Sequence, residues 1–381
     1  MIATGMPTTA LLLLVASAAH GQITFEITKG PGLLALETSD PTLAASMYSK
    51  ALYAGSIWSS KLFDPITVKF KLDYSPTLGA IGSTSGTSSE YTYMSVKGAM
   101  MADATSPEDF TSIGALQPGP TMTMRVNDTT MAVPPPFPGF LPYIDSDTSP
   151  NNTHMWVSKA NAKALGLISP HSGAAGSDGT ITVGPSTFDF EHSDGIMPGM
   201  KDYTGMILHE MAHLLGFTSG ADYIGGLLPP PLGGIGGDQD DYWLVNTLDL
   251  FRYSPISATA GPFVFDISVP VPSPTDVPMR FFSIDGGMTP LAPFSTGTVL
   301  GGDGKQASHW KDDFFGPWWG LMDPTLGDAF PLTSMFLASA AGLPFDLIAL
   351  DVIGYDLVPA PGAMALIAYG GLVASRRRRA A

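Results

Sequence analysis

The chain has no cysteine. That excludes a disulfide framework, a thiolate metal site and a cysteine nucleophile. Basic residues are scarce, with 18 Lys+Arg against 34 Asp+Glu and a net charge of −16. Four of those cations are Arg376 to Arg379, so the body is more acidic still and repels phosphate backbones. No nucleic-acid partner is expected. Charged residues make up only 14%, while 43 Gly and 34 Pro punctuate the 381 residues. This composition argues against a coiled coil or an all-helical bundle and for a loop-rich fold. No apolar run reaches the roughly 20 residues of a membrane-spanning helix.

What is present at the ends reads as addresses. Thr9 to Ala19 is an apolar, small-residue run followed by Gly21, which predicts an export signal over residues 1–21. At the other end, Val358-Pro359-Ala360-Pro361, a short apolar stretch and Arg376 to Arg379 resemble the bacterial PEP-CTERM sorting tails handled by exosortases. Here Ala360 replaces the usual glutamate of that signature. The resemblance implies a bacterial protein that is secreted or held at the cell envelope. It also implies an exosortase-type sorting enzyme as partner, and membrane contact only through residues 358–381.

Between the ends, 22–357 reads as one α+β domain. Ser39-Asp40-Pro41 starts a helix in which Leu43, Met47, Ala51, Ala54 and Trp58 recur at helical spacing to about residue 60. Ile66, Val68, Phe70 and Leu72 alternate with polar residues as in a half-buried strand. Residues 82–89 (GSTSGTSS) predict a polar loop, and 133–142 an irregular proline-rich run. A short helix is expected over 158–165, a strand over 180–183, and a helix over 202–215 ended by Gly216. Residues 225–241 read as a looped insertion, Met279 to Ile284 as a strand, and Leu343 to Ile353 as a last helix closed by Gly354.

The chemistry concentrates in Leu208-His209-Glu210-Met211-Ala212-His213. On a helix, His209 and His213 lie one turn apart on one face, so both rings reach a single ion. Glu210 sits beside that face, where it can touch a water without being a ligand. A catalytic zinc needs three protein ligands and an open position. No glutamate follows Glu210, and Ser219 stands three residues beyond Gly216, at the position where a resemblance to compact metzincins would imply a third histidine. One histidine remains downstream, His309, with Asp222 as the carboxylate alternative.

His209-Glu210-x-x-His213-x-x-Gly216-Phe217, then Ser308-His309-Trp310 and Leu321-Met322-Asp323-Pro324, resembles the leishmanolysin-type branch of the metzincins. There the third zinc histidine is displaced far downstream. Here the displacement is the long insertion 218–307, and Met322 follows His309 by 13 residues. The resemblance implies a metzincin-like zinc peptidase with a mixed twisted sheet, an active-site helix and a loop-rich C-terminal half. It implies one catalytic Zn2+ on His209, His213 and His309, with Gly216 as the structural turn and Met322 as the Met-turn floor. Glu210 would be the general base in hydrolysis of a protein or peptide substrate. Without cysteine, a cysteine-switch zymogen is excluded.

Other features carry less. His154, His171 and His192 lack ligand spacing. Asp238, Asp240 and Asp241 beside Gly236-Gly237 could hold Ca2+, but their spacing completes no calcium loop and a solvated turn is the simpler reading. Phe314, Phe315, Trp318 and Trp319 are read as core ahead of a substrate groove. The sequons at Asn127 and Asn151 carry little weight without a eukaryotic context. The rival function is a cell-surface or biofilm-matrix protein with a structural, non-catalytic metal. Glu210 argues against it, because a structural site needs no base beside its ligands.

Overall fold

In the computed structural model, which describes residues 21–130, 140–272, 276–312, 317–338 and 344–358, β1 (Thr24–Lys29) leads into α1 (Pro31–Ser39) and α2 (Pro41–Ser59). α2 starts where predicted: Asp40 accepts a hydrogen bond from the Leu43 amide at 3.0 Å, and Pro41 fills the first turn. Its buried stripe includes Met47, Ala51, Ala54 and Trp58. In β2 (Thr67–Tyr74), Val68, Phe70 and Leu72 point into the core, as the alternation requires. The export signal before Gly21, the tail after Val358, Phe314 and Phe315 lie outside the described residues.

The polar stretch at 82–89 is not a loop. Gly82–Gly86 forms β3 and Ser88–Thr92 forms β4. β3 is the antiparallel edge of a four-stranded sheet ordered β1-β2-β8-β3, where β8 is Gly179–Val183 and the other pairings are parallel. Backbone pairing to β8 and packing on a helix specify this strand, although glycine and serine are poor strand formers. β4 leads into α3 (Tyr93–Asp103) and α4 (Pro107–Gly114). β5 (Met124–Asn127) pairs with β6 (Pro142–Asp145), and after the single turn α5 (Pro150–Thr153), β7 (His154–Ser158) pairs with β4. α6 (Lys159–Ala164) then ends at Gly166 as expected.

The two-residue strands β9 (Phe188–Asp189) and β10 (Lys201–Asp202) bring the chain to α7 (Tyr203–Leu215), the helix of the His-Glu-x-x-His segment. Beyond it the chain is loop-rich. α8 (Ile224–Leu227), β11 (Arg252–Tyr253), α9 (Pro255–Ala260) and β12 (Phe265–Asp266) are all short. β13 (Arg280–Phe282) lies within the expected strand and pairs with β11 and with β14 (Ala292–Phe294). α10 (Leu332–Ala338) packs near α7, and α11 (Phe345–Val352) closes at Gly354. One hydrophobic cluster runs from Ile23 to Tyr355, so both halves share a core, and the molecule is α+β with several small sheets. Among the described residues, no helix is long and apolar enough to cross a membrane.

Candidate metal centre

α7 is tied to its surroundings at both ends and along its length. Asp202 caps its N-terminus by accepting from the Gly205 amide at 2.9 Å, and the same carboxylate accepts from the Thr333 amide at 2.7 Å. The Trp58 indole donates to the Leu208 carbonyl at 3.2 Å, which ties the helix to α2. Gly216 ends the helix with φ +114°, a left-handed conformation that favours glycine. A Cβ there would also meet Asn161, Ile353 and Ser158, each at 3.3 Å. This turn sends Phe217 back toward the helix, where its carbonyl receives His213 Nδ1 at 2.8 Å.

His209, His213 and His309 come together, with their ligating nitrogens all within 4.8 Å of one another. His309 Nε2 lies 3.1 Å from His209 Nε2 and 3.3 Å from His213 Nε2. The opposite nitrogen of each ring faces a backbone carbonyl: Leu321 at 2.9 Å, Phe217 at 2.8 Å and Gln306 at 3.2 Å, respectively. A carbonyl only accepts, so each Nδ1 carries the proton and each Nε2 turns a lone pair to the shared point. Burial pushes His209 down to about 4 and His213 down to about 3, with His209 itself adding to the second shift. Burial likewise holds His309 well below the ordinary value, helped by both neighbouring rings. Three neutral imidazoles are what a divalent ion requires.

His309 is delivered by carboxylates that do not touch the shared point. Asp222, the alternative third ligand, lies outside the trio. It accepts from the Ala307 amide at 2.6 Å and from the Ser308 amide at 3.1 Å, pinning the segment that carries the ring. Buried Arg252 donates to the Ala307 carbonyl at 3.2 Å from the other side. Buried Asp346 accepts from the Leu321 amide at 2.7 Å, the Met322 amide at 3.1 Å and the Trp310 indole at 2.8 Å. That bond set fixes the turn whose Leu321 carbonyl orients His209. Met322 is fully buried, and its carbonyl accepts from the Trp310 amide at 2.9 Å.

Glu210 is only 6% exposed, yet it lines the same cleft as the three histidines. Burial pushes its carboxyl up to about 7, opposed by a hydrogen bond from the Thr84 hydroxyl to Oε2 at 2.7 Å. The cleft has a volume of about 640 Å³ and runs between β3 and the segment from Asp323 to Leu326. Trp318 and Trp319 are half-buried against the core and do not line it. The contributions of Thr84, Asp346 and Arg252 leave no mark in the local sequence. Each acts on residues far along the chain.

The histidines outside the motif stay outside the site. His154 lies 3.5 Å from Glu90, His171 contacts the Thr67 hydroxyl, and His192 stacks on Tyr53. Of the three candidate calcium ligands, Asp240 gathers with Asp145 and Asp147 in place of its sequence neighbours. Asp238 caps a short turn through the Asp240 amide; within the cluster Asp145 is buried, Asp147 is exposed, and the Asn151 amide donates to Asp145 at 3.1 Å and to Asp240 at 3.2 Å. No protein-family model, no curated protein and no solved structure matches this chain.

Proposed function

We propose that the chain is an exported zinc-dependent endopeptidase of the leishmanolysin-like metzincin type, sorted to the bacterial cell envelope by its C-terminal segment. The carrying observation is the meeting of three proton-fixed imidazoles beside a buried carboxylate in an open cleft. A tetrahedral ion with bonds of about 2.0–2.1 Å to nitrogen separates its ligand atoms by roughly 3.3–3.4 Å. The 3.1 and 3.3 Å separations around His309 Nε2 suit that size. Thiolates are absent, and the donor set of three imidazoles fits zinc.

When bound, zinc supplies a Lewis acid that acidifies water and stabilises the oxyanion of the attacked carbonyl. The chain supplies the rest. His209, His213 and His309 would hold the ion, while their Nδ1 protons stay on backbone carbonyls and keep the rings neutral. Glu210 takes a proton from the water as it attacks the scissile carbonyl, then returns that proton to the departing amine. A carboxylate beside the bound water can serve both halves of that exchange, first as base and then as acid.

Casein cleavage by the full chain tests the reading, together with its loss in Glu210→Ala at unchanged zinc content. Zinc retained in full by His309→Ala would reject the ligand set. Casein cleavage that survives Glu210→Ala would reject the base.

A further inference from the structure

We infer that β3 is a positioning device for Glu210, with Thr84 as the residue that holds the base and Gly82 as the notch that receives it. The inference rests on the reading of Glu210 as the general base. Thr84 Oγ1 lies 2.7 Å from Glu210 Oε2 and 2.9 Å from the Glu210 backbone carbonyl. The single hydroxyl proton is shared between two acceptors of the same residue, with the shorter contact to the carboxylate, so the side chain is held close to its own main chain. Two positions earlier on the same strand face, a Cβ added at Gly82 would sit 2.6 Å from Oε1 and 2.7 Å from the Met206 sulfur. Gly82 has no side chain because the carboxylate occupies that space.

The two contacts act on different oxygens. Thr84 fixes Oε2 by a hydrogen bond, and Gly82 leaves room for Oε1 by lacking a methyl. Between them the strand sets both the direction and the depth of the carboxylate relative to the histidines on α7. A glutamate side chain has several rotatable bonds and, without such restraint, samples rotamers that take it away from the reacting water. Misplacement by about 1 Å costs on the order of 100-fold in rate. β3 itself is anchored for this task by its full pairing with β8 from Gly82↔Val183 to Gly86↔Gly179.

The experiment compares Thr84→Val, Thr84→Ser, Gly82→Ala and Glu210→Ala in the full chain, with casein as substrate and zinc content measured in each. Thr84→Val is expected to lower kcat by about 10- to 100-fold with KM little changed and zinc retained. Thr84→Ser keeps the hydroxyl and is expected to recover most of that loss. Gly82→Ala pushes against the ends of two flexible side chains, so the fold and zinc persist while the base moves and kcat falls. The inference is overturned if Thr84→Val and Gly82→Ala both cleave casein at the wild-type kcat. It is equally overturned if Thr84→Ser falls as far as Thr84→Val. Should Thr84→Val fail to fold, wild-type kcat in Gly82→Ala, or a kcat loss of about 10-fold or more in Thr84→Ser, overturns the inference. Glu210→Ala separates the two levels: activity surviving there removes the general-base reading itself, whereas its loss beside wild-type kcat in both Thr84→Val and Gly82→Ala removes only the positioning role.

Discussion

Replacing Asp222 by alanine separates a residue that ligates from one that holds a ligand in place. Its two carboxylate oxygens accept from the Ala307 amide at 2.6 Å and the Ser308 amide at 3.1 Å, directly before His309. Hydrogen bonds to a charged group contribute about 1.5–3 kcal/mol each. Removing both frees the 307–309 segment by a few kcal/mol, minus what water restores once the side chain is gone. His309 keeps its Gln306 contact and its ring nitrogen, so the variant retains all three donors. Loss of such an outer partner typically weakens metal binding about 10- to 100-fold. Competition with a chromophoric chelator should therefore give an Asp222→Ala zinc Kd raised by about that factor, with full occupancy at excess zinc. His309→Ala should be far weaker. An unchanged Kd for Asp222→Ala would refute the pinning role, and loss of zinc there with retention in His309→Ala would reverse the two assignments.

Gly216→Ala forces a Cβ into φ +114° with contacts at 3.3 Å, so urea unfolding should show a loss of about 1–3 kcal/mol. A variant as stable as the wild type would deny the turn its strain. Asp64 is buried with Oδ2 unpartnered near Asp103, Asp351 and Asp356, and burial first, then Asp356, pushes it up to about 8. Its native pKa is raised, so its contribution is complete below the unfolded value near 3.8 and is lost as pH rises toward 8. Asp64→Asn should therefore unfold at higher urea than the wild type at pH 8, by at least about 1 kcal/mol. The two should converge at pH 4, and a gap independent of pH would contradict the assignment.

Local rules made part of this molecule readable. α2 and α7 announce themselves by proline or aspartate at the start, apolar spacing within, and a glycine after α7. The pair His209 and His213 needs only one helical turn to meet, so their shared face follows from the spacing. His309 lies 96 residues from His213 and was reachable because no other histidine follows and because Ser308-His309-Trp310 carries a family resemblance. The reading of 82–89 as a loop failed for a physical reason. An edge strand of glycine, serine and threonine is specified by its partner β8, nearly a hundred residues away, and by the helix beneath it. Thr84 thus looked like linker, although its hydroxyl reaches Glu210 across 126 residues. Asp222 was read as the alternative third ligand, but its partners are the Ala307 and Ser308 amides and it lies outside the histidine trio.

The central claim is that three imidazole nitrogens from two distant segments share one zinc ion. Its most direct measurement is anomalous diffraction at the zinc edge from crystals of the protein grown with the metal. The account predicts a single strong peak about 2.0–2.1 Å from Nε2 of His209, His213 and His309. A peak bound by Asp222 in place of His309, or no peak among the three rings, would contradict it.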